Sequence, residues 1–204
     1  MAREPIAEVE RRSCESRATV DRSEGRRIVG FPIVFNSESR VMTHPRIGQF
    51  RERVLPEAVD HTMRSGASVK ALWNHNSDLV LGNTRAGTLF LRKTATALRI
   101  EIDPPQWAEP QLETIQRGDV DGMSFAFRVL PDGEDWDLRS DGLPLRTISD
   151  MEFTEVSLTA FAAYEATSVS VSQRSLETFF HEQAIVTGRS IDWWQKWHRT
   201  QLAR

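Results

Sequence analysis

Gly118-Asp119-Val120-Asp121-Gly122-Met123-Ser124-Phe125-Ala126-Phe127 places large apolar residues at every second position. Met123, Phe125 and Phe127 fall on one face of an extended chain, and Ser124 shares the other face with the small Ala126. The period of two predicts a strand over 120–129 that buries its bulky face and carries a hydroxyl on an uncrowded one. Gly122, two residues before the serine, leaves room for close approach of another chain. The pattern is not Gly-x-Ser-x-Gly, which disfavours an α/β-hydrolase. Serines are common in strands, so this stretch by itself is equally a structural element.

Working outward, Val69-Lys70-Ala71-Leu72-Trp73-Asn74-His75-Asn76 also reads as a strand, with Val69, Ala71, Trp73 and His75 on one face. An imidazole closing an apolar row can take a proton from a hydroxyl and return it to a leaving amine, though many histidines at strand ends are structural. Downstream, Asp150-Met151-Glu152-Phe153-Thr154-Glu155-Val156-Ser157-Leu158-Thr159 sends Val156, Leu158 and Ala160 toward the core and Glu155, Ser157 and Thr159 the other way. A carboxylate there can orient an imidazole; a solvated strand face is the plain alternative.

Further strands are predicted at 27–35, where Pro32 demands an edge or a bulge, and at 50–54, 84–92, 97–103 and 145–148. Pro56 opens a helix that Gly66 stops, and Pro110 opens a second that ends at Gly118. Residues 131–142 read as an acidic hairpin loop around Trp136. The fold class expected is mainly β with helices: a β-barrel of mostly antiparallel strands wrapped by a few short helices.

The 204 residues, 39% hydrophobic and 27% charged, suit one well-buried soluble domain. A net charge of -3 gives no basic footprint for nucleic acid. The single cysteine, Cys14, cannot pair internally, and Met1-Ala2-Arg3-Glu4-Pro5 leads into charged sequence, so neither secretion nor membrane insertion is expected. Residues 1–26 are expected to be a loose arm, with a first strand at its end as the alternative, 27–172 the folded domain, and 173–204 a tail whose Trp193, Trp194 and Trp197 lie on an amphipathic helix. That helix either docks a partner or folds back on the domain. His44, His61, His75, His181 and His198 form no compact ligand pattern, so no metal or other cofactor is expected.

In this order, the opening strand Gly30 to Asn36, Phe50-Arg51-Glu52-Arg53-Val54-Leu55-Pro56-Glu57-Ala58, Ala71 to Asn76, Leu81-Gly82-Asn83-Thr84, Arg117 to Phe127, Glu155-Val156-Ser157 and Ala163-Tyr164-Glu165-Ala166-Thr167 resemble the prohead maturation serine proteases of tailed phages. The resemblance spans about Ile28 to Val171. It implies a fold similar to the herpesvirus assembly proteases, with nucleophile and histidine on neighbouring strands. It implies Ser124 as nucleophile and His75 as base. Where the herpesvirus enzymes use a second histidine, this chain offers Glu155, with Asp150 and Glu152 as competitors. The oxyanion site is left unassigned: Arg85 or Arg146 could assist it through a side chain or a fixed water, but the sequence places neither near the site. The implied partners are the major capsid protein with its scaffold segment and the enzyme itself by autocleavage; a homodimer is possible, with the oligomeric state left open, and composition gives no reason to expect nucleic acid or membrane. The implied location is inside the immature procapsid, in the host cytoplasm. A scaffold or procapsid component that keeps the barrel without cleaving is the alternative.

Overall fold

The computed structural model describes residues 9–14, 18–21, 26–44 and 48–160, with the single positions 184, 190, 192, 193 and 196. Its strands are β1 (Glu10–Cys14), β2 (Thr19–Asp21), β3 (Arg27–Val34), β4 (Met42–His44), β5 (Gly48–Val54), β6 (Lys70–Trp73) and β7 (Asn76–Asn83). There follow β8 (Leu89–Lys93), β9 (Ala97–Ile102), β10 (Gly122–Val129), β11 (Glu134–Leu138), β12 (Pro144–Ile148) and β13 (Met151–Thr159). Helix α1 (Asp60–Ser65) continues a 3-10 turn at Pro56–Val59, and α2 (Glu109–Arg117) follows a similar turn at Gln106–Ala108.

Both helices begin and stop where local chemistry dictates. Pro56 opens the 3-10 turn that leads into α1 and Pro110 occupies the first turn of α2, where the missing N–H costs nothing, and Gly66 and Gly118 end α1 and α2 at φ 65° and 79°. In β3 the pairing with β9 shifts register between Gly30 and Ile33, so Pro32 sits in a bulge of a strand flanked on both sides.

The strands form three sheets, ordered β1-β10-β13-β6-β7, β2-β3-β9-β8 and β11-β12-β5-β4. Most pairs are antiparallel, while β13 with β6 and β12 with β5 are parallel. The expectation of mainly β structure with short helices holds at this level, but the pairings among the described residues end at sheet edges and close no barrel. Met123, Phe125 and Phe127 of β10 and Phe153, Val156 and Leu158 of β13 pack into one core with Ile28 and Ile33 of β3 and Leu98, Ile100 and Ile102 of β9. Leu112 and Ile115 bring the apolar side of α2 onto it. The approach of β3 to β10 is close: a Cβ on Gly30 would stand 2.4 Å from Met123 Sδ.

Several sequence expectations need correction. Residues 10–14 and 19–21, assigned to a loose arm, are strands. Glu134–Leu138, expected within a loop, is a strand whose Trp136 is buried against Phe50, with ring centroids 5.3 Å apart. Thr84–Thr88, expected in a strand, is the turn between β7 and β8. Charge along the first two segments, and polar turn residues in the third, masked which backbones have a partner. Trp194, Trp197, His181, His198 and most of the 173–204 tail lie outside the described residues.

The reason a charged first strand is ordered lies in a buried ionic cluster. Arg146, 0% exposed, donates to Glu10 at 2.7 and 2.9 Å, to Glu52 at 3.0 Å and to Glu134 at 2.6 Å. Arg12 donates to the same Glu10 at 2.6 Å and to both oxygens of Glu52 at 2.7 Å, and its guanidinium lies 5.2 Å from the Phe127 ring centroid. Burial would lower the Arg146 and Arg12 pKa values, but the facing carboxylates outweigh it and raise both. Burial would likewise raise Glu52, and the two arginines hold it below the ordinary glutamate range. The cluster ties β1, in the first sheet, to β5, β11 and β12 in the third.

Breaking such a cluster leaves buried charge unpaired. Arg146→Ala is expected to cost about 3–5 kcal/mol in urea unfolding, against under about 1 kcal/mol for Arg26→Ala, which breaks a partly exposed pair with Glu109 and a long hydrogen bond to Pro104 O. The lowered Glu52 pKa sets a pH window as well. Its stabilisation is complete above the ordinary glutamate value of ~4.3 and is lost as pH falls through the lower folded value. An acid titration followed by circular dichroism should therefore show the fold holding to about pH 4 and failing below it.

Candidate active site

Strand β13 lies between β10 and β6, and the three sequence candidates converge on its polar face. In register, Ser124 of β10 stands opposite Ser157 of β13, and Ser157 stands opposite Leu72 of β6. Ser124 and His75 are therefore not on neighbouring strands, as the resemblance implied; β13 intervenes. On the far side of β10, Ser13 of β1 stands opposite Ser124, and Arg11 stands opposite Ala126 in the row that leads to Glu155. Alternation gives β1 two roles: Glu10 and Arg12 enter the ionic cluster, while Arg11 and Ser13 belong to the face of Ser124.

His75 is not the end of a strand. β6 stops at Trp73, which pairs with Asn76, and Asn74 and His75 form the two-residue turn into β7 with φ 52° and 59°. Tight antiparallel hairpins favour turns with positive φ at both central residues, which suits their twist, and Asn and His tolerate that region better than most side chains. The strand reading failed because Asn-His lacks the glycine that usually marks such a turn. Two hydrogen bonds dock the turn on β13: Asn74 N–H to Leu158 O at 2.9 Å and His75 N–H to Ser157 Oγ at 3.2 Å.

Nδ1 of His75 lies 2.5 Å from Glu155 Oε1, and the Ser157 hydroxyl donates to the same oxygen at 2.7 Å. Burial would raise the Glu155 pKa, but the hydrogen bonds from His75 and Ser157, with the charges of His75 and Arg11, hold it below the ordinary glutamate value. An ionised carboxylate has no proton to give, so Nδ1 is the donor and the neutral ring keeps its basic lone pair on Nε2. Of the competing carboxylates, Glu152 faces Arg128 at 3.4 Å, and Asp150 precedes β13. Glu155 is the one that meets the imidazole.

Ser124 is 0% exposed, as is Ser157, so the face expected to be uncrowded is covered. Ser124 Oγ has no hydrogen-bond partner among the described residues, and neither does Ser13 Oγ or Thr159 Oγ1, which belong to the same face. Arg146 is committed to the ionic cluster, and Arg85 lies in the turn at the opposite end of β7 from His75. His44 is buried at the end of β4 and His61 is exposed on α1, both apart from this cluster. Among the described residues no group of three or more His, Cys, Asp or Glu side chains is arranged to hold a metal ion. No helix among them is long and apolar enough to cross a membrane.

A family model described as caudovirus prohead serine protease matches residues 12–182, most of the chain. The chain belongs to the caudovirus prohead serine proteases. The match takes in β1 from Arg12 onward as well as β10, β13 and the turn carrying His75. Membership assigns the chain to serine peptidases of bacteriophage capsid maturation, which act within procapsids and whose substrate is capsid protein. No curated protein and no solved structure matches it. Ser157, which sequence reasoning placed on the right face but gave no part, and Arg11, assigned to the loose arm, belong to the prohead protease's polar cluster. The period-two row from Glu155 to Thr159 was the available signal for the first.

A buried hydroxyl without a partner costs stability that its removal returns. Ser124→Ala in this prohead protease is expected to fold and to gain about 1 kcal/mol in urea unfolding. A loss of more than that amount would mean Ser124 is held by the fold for its own sake.

Proposed function

We propose that the chain is the endopeptidase that cuts the scaffold segment from the major capsid protein and cleaves itself inside the immature procapsid, with Ser124 as nucleophile, His75 as base and Glu155 as orienting acid. The observation that carries this reading is the 2.5 Å contact of His75 Nδ1 with Glu155, on the sheet face that bears Ser124. With Nδ1 committed to the carboxylate, Nε2 is the nitrogen that accepts the Ser124 proton as Oγ attacks the scissile carbonyl. The imidazolium formed is stabilised by ionised Glu155 and returns its proton to the leaving amine. An acyl-enzyme remains, and water activated by the same nitrogen resolves it.

Ser124 Oγ makes no hydrogen bond to His75. Catalytic hydrogen bonds often close only when substrate arrives, and the unpartnered hydroxyl fits a nucleophile held ready for that step. Oxyanion donors would be backbone N–H groups. In this reading the fold is a relative of the herpesvirus assembly proteases in which a carboxylate replaces the second histidine.

Co-expression with the matching capsid protein tests the proposal, read by gel and mass spectrometry. Ser124→Ala and His75→Ala are expected to abolish processing, and Glu155→Gln to slow it by about 10³–10⁴, as when the imidazole's tautomer is no longer imposed. Processing that survives Ser124→Ala overturns the assignment of Ser124 as nucleophile, and wild-type chain that leaves the capsid protein uncut favours a non-cleaving procapsid component.

A further inference from the structure

Ser157 makes both of its hydroxyl's strongest kinds of contact inside the candidate site. Its one proton goes to Glu155 Oε1 at 2.7 Å, the same oxygen that receives His75 Nδ1 at 2.5 Å. One of its lone pairs takes the His75 backbone N–H at 3.2 Å. A single side chain thus holds the carboxylate that faces the ring and the main chain from which the ring projects. It is 0% exposed and sits on the central strand, opposite Ser124 on one side and Leu72 on the other.

We infer that Ser157 is a positioning residue that acts through Glu155 and the 74–75 turn to fix the His75 imidazole for proton transfer from Ser124. The inference rests on the catalytic reading of Ser124, His75 and Glu155 above. His75 needs such a fixture because its backbone is left-handed, a region that bulky L-residues occupy only when neighbouring contacts hold them there. Glu155 needs one because a carboxylate on a flexible two-methylene stem has many rotamers; two donors converging on Oε1 select one. Neither contact brings Ser157 to a substrate, and the part of its effect that runs through the carboxylate should vanish once Glu155 can no longer serve as the ionised acceptor.

The test uses the full chain and diisopropyl fluorophosphate, which needs no knowledge of the peptide substrate. Labelling forms the Ser124 Oγ–P bond, breaks the P–F bond with release of fluoride, and passes the hydroxyl proton to His75. Its rate, followed by intact mass and located by peptide mapping, reads activation of the nucleophile. Ser157→Ala is expected to slow labelling by about tenfold to a hundredfold, the worth of one hydrogen bond to a charged group. In a Glu155→Gln background the same change should slow it by clearly less, because only the contact with the His75 backbone is then left to lose. Ser157→Cys, which keeps the volume but offers only a weak donor, takes the place of the alanine variant if circular dichroism shows that variant unfolded.

Wild-type labelling at Ser124 with an unchanged rate in the Ser157 variant overturns the inference alone. So does slowing that adds fully to that of Glu155→Gln, because a merely structural hydroxyl would weaken both backgrounds alike. Wild-type chain that does not label at Ser124 overturns instead the catalytic reading beneath it.

Discussion

Strand β13 must satisfy hydrogen-bonding partners on both edges while both of its faces are covered, and the geometry of the site descends from that constraint. Antiparallel to β10, it sets Ser157 opposite Ser124. Parallel to β6, it brings the end of β6 beside Leu158, so the hairpin at Asn74 and His75 turns over the same end of the sheet. The ring then reaches back along β13 past Ser157 to Glu155, two residues away on the same face, a span of about 7 Å at the usual rise of a strand. One strand supplies the carbonyl that holds Asn74, the hydroxyl that holds the His75 backbone, and the carboxylate that holds its ring.

The other flank of the site depends on charge rather than on apolar packing. β1 is the edge strand beside β10, and alternation sends Glu10 and Arg12 into a cluster with Glu52, Glu134 and Arg146. Buried ion pairs are weak sources of net stability, because desolvation offsets most of their attraction. They are strict about geometry, however: bidentate pairing of two guanidiniums with shared carboxylates admits few registers. Register is what matters here, since a slip of one residue in β1 would turn Glu10 and Arg12 onto the face of Ser124 and drive Arg11 into the core.

The candidate site of this prohead protease is assembled at the expense of local stability. Two non-glycine residues of the His75 turn have left-handed backbones, and the hydroxyls of Ser13, Ser124 and Thr159 are buried without partners among the described residues. A fold optimised only for stability would place glycine in the turn and alanine in the strand. The apolar core shared by β3, β9, β10 and β13 offsets these costs, which are of the kind that collect at functional sites.

The sequence by itself determined the strands with clear period-two patterning, the two helices with proline openings and glycine stops, and the faces on which Ser124 and Glu155 lie. These are consequences of local sterics and of which side chains avoid water, and they need no distant partner. It could not show that β1 is a strand, because charged residues read as solvated until Arg146, more than a hundred positions away, supplies their counter-charge. Nor could it show that His75 sits in a turn, which follows from pairing Trp73 with Asn76, or that β13 stands between β10 and β6. Ser124 on its polar strand face was therefore legible from period alone. Its neighbourhood, with Glu155 meeting His75 and Ser157 joining both, was decided by strand order and register, which depend on long-range pairing energies that no local window contains.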